Sequence, residues 1–585
     1  MAAPPTRGLA TVGVLPRRGA AQSPSLPRGQ AILARAVYAL CLLLAATWTP
    51  AAAPVAFATP AGAITVNTAA DTSGGPACSL PDAITAANTN SATGGCPAGA
   101  PGLDTISFHL GNGCSVHPCP ITLASPLPTI IEDLTINGAG APVILSGGGA
   151  TRLLNVVSGV TLRLQQLTLE DAFSNIGDGG AISNHGNLWL ENSTIQNSQT
   201  DSNHSGGAIF SDGPVTITNS LLRNNQAGSA GALFANFGNA IVSIQDSTLS
   251  LNRAVNTGTG YGGAIWVGSL AQLSITGGAI LSNTAQSGGG LYLSAGAAVT
   301  LTSTGPPALV SGNSATDGGG LYNAGTLTLT NVTLSGNLGS NLGGGIWNFY
   351  GLATLTNATL SGNSAGNGGG IDNSYSLATL TNATLSGNSA GIGGGIFNDS
   401  GTAVLTDDTL SGDMASNGGG IANWGGAADL TNVTLSGNTA SLHGGGLYQR
   451  GNYVTETISL SNTLIANGVA GENCARDNSS YNLISAGYNL SSDGTCAAYL
   501  NQSGDLNGAN TNLGPLANNG GSTLTQMPNP PSPAIDAIPL GVNGCGATLT
   551  SDQRGAPRPI NGKCDIGALE AGWIYLALWL PFIRR

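Results

Sequence analysis

Between Gly343 and Leu447 the chain repeats itself every 25 or 26 residues. Five Gly-Gly-Gly triplets open these repeats, and each is followed by an aliphatic residue: Ile346, Ile371, Ile396, Ile421 and Leu447. Looser copies, with Gly-Ala or Gly-Gly before Ile182, Ile209, Leu233, Ile265, Leu291 and Leu321, extend the column upstream. A period of this length means a solenoid, in which one repeat cannot bury its apolar face alone and does so by stacking on the next. Such a pattern specifies a scaffold closely and a chemistry poorly.

One unit, from Leu352 to Ile371, sets Thr, Leu and Ala in short alternating runs and interrupts them every few residues with Gly, Asn and Ser. The runs read as strands and the interruptions as turns. With 90 glycines in 585 residues, helix is excluded as the repeating element. Three short strands per coil, each bonded to its counterpart about 4.8 Å along the axis, make an all-β parallel β-helix. The Ile/Leu column then points inward and the glycine triplets turn a tight corner with positive φ. Asn337, Asn363, Asn388 and Asn438 each follow Thr-Leu-Ser-Gly, and stack at a turn where they bond the backbone of the next coil. Asp413 takes their place in one coil. Over residues 150–470 the repeats resemble those of right-handed parallel β-helix proteins of the pectate-lyase-like class. They are also similar to the Gly-Gly-Ala-Ile repeats of polymorphic outer-membrane proteins.

Charge and address come next. Only 8% of residues are charged, Lys563 is the single lysine, and the formal charge is −12. A monomeric acidic rod repels nucleic acid and anionic lipid, so neither is expected as a partner. Residues 1–58 read as a secretory signal. Arg7, Arg17, Arg18, Arg28 and Arg35 precede an apolar run from Ala36 to Ala46, with small-residue cleavage sites beyond it. That run is shorter than the roughly 20 residues needed to span a bilayer. Apart from Cys41 in the signal, eight cysteines remain: Cys78, Cys96, Cys114 and Cys119 before the repeats, and Cys474, Cys496, Cys545 and Cys564 after them. An even number confined to the ends reads as disulfides that lock irregular segments, most simply between neighbours. Zinc is the competing reading. Only Cys114 and Cys119 are closely spaced, however, and no Cys-x-x-Cys occurs.

A β-helix must cover the open strands at its ends, so the non-repeating regions are expected to be caps. Upstream, residues 59–150 are assigned to a cap and the first coils. The run Cys78-Ser79-Leu80-Pro81-Asp82-Ala83-Ile84 leads on to Asn88, and resembles the Cys-Ser-Leu-Arg-Glu-Ala-Ile motif of bacterial secreted β-helix proteins. Pro81-Asp82 departs from Arg-Glu, while a short helix after Pro81 that plugs the first coil is retained. Downstream, residues 471–570 contain Gly487-Tyr488-Asn489-Leu490, Ser532-Pro533-Ala534-Ile535-Asp536, Asp552-Gln553-Arg554-Gly555 and Cys564-Asp565-Ile566-Gly567. This order of motifs resembles the choice-of-anchor Q domain, which implies attachment to a cell surface. Residues 571–585 form a hydrophobic tail ending in Arg584-Arg585, which reads as an anchoring or sorting tail.

Three constellations are candidates for function. Asp407 and Asp408, with Asp413 near, could hold calcium, which takes six to eight oxygen ligands. No lysine or arginine lies between Arg253 and Arg450, which disfavours a lyase there; hydrolysis by paired carboxylates, with Asp372 and Asp399 as further candidates, stays open. The residue after each inward Ile or Leu is usually aromatic: Phe210, Phe234, Trp266, Tyr292, Tyr322, Trp347, Phe397 and Tyr448. Strand alternation puts this column outside, where flat apolar rings suit sugars or a partner surface. Outward Thr359, Thr384, Thr409 and Thr434 offer a third reading, an ice- or surface-layer-binding array. The reading adopted is an exported adhesin or binding stalk directed at extracellular polysaccharide or a neighbouring cell surface. The alternative is a polysaccharide lyase or glycoside hydrolase on the same scaffold. No cofactor other than calcium is implied.

Overall fold

The computed structural model describes residues 62–572 except 112–117, 141, 237, 239, 452–456, 467–469 and 478–481. Its strands stack in parallel into three long sheets of 16, 16 and 13 strands. In one coil the first sheet takes Leu352–Thr356, the second Thr359–Ser361 and the third Ile371–Ser374, before Leu377–Thr381 rejoins the first. The register repeats from coil to coil: Leu352 pairs with Leu377, Leu360 with Leu385 and Ile371 with Ile396. The chain is a parallel β-helix, as its period requires.

Alternation decides which side chains are inside. In Leu352–Thr356 it is Ala353 and Leu355; in the second sheet it is Leu360, and in the third Ile371. All eleven members of the Ile/Leu column, from Ile182 to Leu447, are wholly buried and belong to one continuous core. Burying such a side chain is worth roughly 1.5–3 kcal/mol, so this stack is a principal source of cohesion along the rod.

Two asparagine ladders line the interior. From Asn225 to Asn388 each residue donates both its backbone N–H and its Nδ2 to the Oδ1 of the next, at 2.9–3.1 Å. The remaining amide proton goes to a backbone carbonyl, that of Leu334 in the case of Asn363. The second ladder runs through Asn323, Asn348, Asn373, Asn398 and Asn423 to Gln449, at 2.6–2.8 Å. Pairing the amides of successive coils in this way avoids a cost of about 1–3 kcal/mol per orphaned group, and Gln449 Nε2, at the end of the second ladder, is left without a partner. In the triplets, positive φ belongs to the first glycine, as at Gly368 with 62°. The second is needed for close approach, because a Cβ on Gly369 would lie 2.5 Å from the Gly394 carbonyl oxygen.

At the N-terminal end the helix Leu80–Thr89 starts at Ser79, whose side chain accepts the Asp82 N–H. It buries Leu80, Ala83, Ile84, Ala86 and Ala87 beside the strands Gly62–Val66 and Asp104–Phe108. The expected plug is therefore present, and Cys78–Cys96 ties it down. At the other end, Asn482–Ser485 ends the first sheet, and Leu490–Ser491 and Leu506–Asn507 end the second. Cys474–Cys496 closes this end and Cys545–Cys564 braces the region beyond it. Cys119 is oxidised as well. Cys114, Cys41, the signal segment and the tail from residue 573 lie outside the described residues.

The C-terminal region is not confined to the end. Residues from Thr523 to Ala568 turn back along the outer face of the second sheet, where Thr523 Oγ1 donates to the Asn382 carbonyl (2.9 Å) and Gln553 Nε2 to that of Ala383 (3.0 Å). They cover the threonine array. Thr409 Oγ1 donates to Gln553 Oε1 at 2.6 Å and Thr434 Oγ1 accepts the Ala568 N–H at 3.0 Å. Thr384, Thr409 and Thr434 are buried, and only Thr359 stays partly open, so the flat threonine face is not free in these coils.

Candidate functional site

The aromatic column lies on the outer side of the third sheet. Pairing places Phe210 beside Phe234, Phe234 beside Trp266, Trp266 beside Tyr292, Tyr292 beside Tyr322 and Tyr322 beside Trp347. The rings touch along the axis. Phe234 stacks on Trp266 (centroids 4.3 Å, 17° between planes) and Tyr292 on Tyr322 (4.4 Å, 14°), while Tyr322 meets Trp347 edge-on (4.8 Å, 88°). The column is outside the core but not open. The chain leading into three of the glycine corners lays Tyr261, Ile392 and His443 against it. Phe210, Phe234, Tyr322, Phe397 and Tyr448 are buried; Trp266, Tyr292 and Trp347 are half-buried. The five buried members pack into this face, and the three half-buried ones leave part of their rings open to solvent.

At Trp347 the aromatic string leaves the column. Trp347 stacks on Phe349 (4.9 Å, 28°), Phe349 meets Tyr350 edge-on (4.6 Å), and Tyr350 stacks on Tyr375 (5.3 Å, 15°). Tyr350 and Tyr375 occupy the corner between the third and first sheets with φ of 54° and 53°. They are 66% and 52% exposed, unlike the column that leads to them. Reading the register four residues beyond the inward Ile would have found this pair, since both follow the same Ile-x-Asn-x-Tyr pattern.

Next to this corner the column holds a carboxylate. Asp372 pairs with Trp347 on one side and Phe397 on the other and is wholly buried. Ser374 Oγ donates to its Oδ1, while Oδ2 has no hydrogen-bond partner. Burial, with smaller contributions from Asp399 and Asp317, pushes its carboxyl up to about 7. Asp372 is therefore largely neutral below that pH and has no access to a substrate.

The carboxylates considered for calcium face different partners. Asp407 accepts from Asn432 Nδ2 (2.9 Å) and lies 3.6 Å from Arg558. Asp408 accepts the N–H groups of Ala383 (2.6 Å) and Thr406 (2.9 Å). Asp413 sits in the asparagine ladder, where its Oδ1 accepts from Asn388. Among the described residues no three His, Cys, Asp or Glu side chains are grouped to hold a metal ion. Asp407 instead joins a buried ionic cluster in which Arg558 also meets Glu570 (3.2 Å) and Arg554 meets Asp552 (2.6 Å). Burial pushes Asp565 up to about 7, and Asp407 up to about 6 against the pull of Arg558.

Comparison of the chain with protein-family models, with curated proteins and with solved structures finds no match.

Proposed function

We propose that the chain is an exported, cell-surface β-helix stalk that binds glycan at the corner between its third and first sheets without catalysis. The observation that carries this reading is the exposed Tyr350–Tyr375 pair, anchored through Phe349 and Trp347 to a rigid stacked column. Two open aromatic surfaces held in place by a packed base match the apolar faces of sugar rings, and their ordering cost is met before the ligand arrives. Export is supported by the secretory-type N-terminus and by three neighbour-to-neighbour disulfides. Surface attachment rests on the C-terminal motifs that resemble a choice-of-anchor Q domain, followed by the hydrophobic tail. A glycan array with the purified chain, run beside a reducing-sugar release assay, tests the proposal. Retention of one or more polysaccharides without release of reducing ends supports it. Release of reducing ends would move the chain to the glycoside hydrolases, and an empty array would remove the binding assignment.

A further inference from the structure

The corner leading from the second sheet into the third turns on a left-handed residue. In the downstream coils it is glycine: Gly336, Gly362, Gly387, Gly412 and Gly437, with φ of 60–70°. In three consecutive upstream coils it is Asp171, Asn197 and Asn224, with φ of 49°, 55° and 53°. Asp and Asn are the side chains that tolerate this conformation best. Three polar groups therefore stand one coil apart along an edge where the next two coils carry Leu251 and Ser282 and the later ones glycine. A second row runs beside them, since Phe173 pairs with Gln199 and Gln199 with Gln226. Between the rows lies a groove of about 700 Å3, lined by Asp171, Phe173, Asn197, Gln199 and Asn224 together with Gly148 of the preceding coil. Asn224 Nδ2 donates to Asn197 Oδ1 at 2.8 Å, which orients both amides.

We infer that this groove is a separate binding site for an extended, uncharged polysaccharide lying parallel to the rod axis. The rows repeat about every 4.8 Å, close to the length of one sugar unit, so successive coils present equivalent groups to successive residues of a linear glycan. Amide side chains both donate and accept, as vicinal hydroxyls do. Phe173 supplies an apolar wall, and the volume lies within the 300–1,000 Å3 usual for small-ligand sites. The one charge lining the groove is the Asp171 carboxylate, which opposes a polyanion. The groove shares no residue with the aromatic face and does not need that face to bind.

The test is calorimetric titration of the purified chain with graded uncharged oligosaccharides (β-1,4-glucose, α-1,4-glucose and N-acetylglucosamine series) and with oligogalacturonate. It compares wild type, Asn197→Gly/Asn224→Gly and Tyr350→Ala/Tyr375→Ala. Glycine is the residue found at this corner downstream, so the groove variant keeps its fold, which a thermal melt verifies. The expected result is binding of one uncharged series, tightening with length over about three units, and weakened roughly tenfold or more in the groove variant by loss of two amides. That site persists in the tyrosine variant. The inference is overturned if no uncharged series binds, if the groove variant binds as wild type does, if oligogalacturonate binds better, or if the tyrosine variant alone abolishes binding. A site lost only in the tyrosine variant would leave the aromatic-face proposal standing without this one.

Discussion

The guanidinium of Arg558 lies 3.6 Å from the carboxylate of Asp407, and both side chains are almost wholly buried. Asp407 stands where neighbouring coils carry Asn357, Asn382 and Asn432, and it keeps their positive φ. One substitution in the repeat thus turns a turn-forming amide into a receptor for the C-terminal region. With Gln553 bonded to Thr384 and Thr409, it fixes where along the rod that region docks.

Removing Arg558 should release this clamp. Arg558→Ala leaves Asp407 and Glu570 buried without their countercharge, a loss of about 3–5 kcal/mol for a broken buried pair. Asp407→Asn should cost less, because the neighbouring coils already use Asn there and Arg558 keeps Glu570. Hydrogen exchange over residues 523–568 should accelerate strongly in the first variant and little in the second. Unchanged exchange in Arg558→Ala would mean that the hydrogen bonds of Gln553 hold the region alone.

Asp413 interrupts an asparagine ladder, and its Oδ2 has no hydrogen-bond partner. Burial pushes its carboxyl up to about 7, and Asp372 and Asp565 are raised to about the same value, largely by burial. Raised acids bind more protons folded than unfolded. Their stabilising effect is therefore complete below about pH 4 and is lost as pH rises through about 7. Thermal melts between pH 4 and 8 should show stability falling over that window. Asp413→Asn restores the amide donor and should raise the melting point at pH 8 while flattening the profile. A lower melting point for Asp413→Asn at pH 8 would contradict this.

Much of the fold is legible because it is periodic. The inward column from Ile182 to Leu447 could be read directly, since one aliphatic residue per coil at a fixed place has one physical use. The ladder through Asn337, Asn363 and Asn388 was legible for the same reason. The ladder through Asn348 and Asn373 was not, because an Asn two residues beyond the inward Ile, near a corner, looks like any turn former. The burial of Phe397 and Tyr448 depends on where Ile392 and His443 come to rest, which no local pattern encodes. The covering of Thr384 and Thr409, and the true partner of Asp407, depend on a region more than a hundred residues away. Chemistry was therefore the least legible part.

The two faces of the third sheet should respond unequally to mutation. Ile371→Asn places an amide in the apolar column, losing roughly 1.5–3 kcal/mol of burial and adding the cost of an unsatisfied group. Trp347→Ala removes a half-buried ring from the outer side and should cost less. Chemical denaturation followed by circular dichroism should show a clear loss for Ile371→Asn. A larger loss for Trp347→Ala would mean that the outer stack, and not the inner column, holds these coils together.

The account turns on whether Tyr350 and Tyr375 meet a ligand. The direct measurement is retention on insoluble polysaccharide and cell-wall material of the otherwise wild-type chain, Tyr350→Ala/Tyr375→Ala and the buried-column variant Phe234→Ala, each carrying Asn197→Gly/Asn224→Gly so that the groove does not contribute. Each stacking ring is worth about 0.5–1.5 kcal/mol. The tyrosine pair should therefore weaken retention by roughly five- to a hundredfold with an unchanged melting point, whereas Phe234→Ala should lower the melting point and leave retention near wild type. Wild-type retention of the tyrosine variant would reduce the aromatic string to a structural stack and contradict the proposed function.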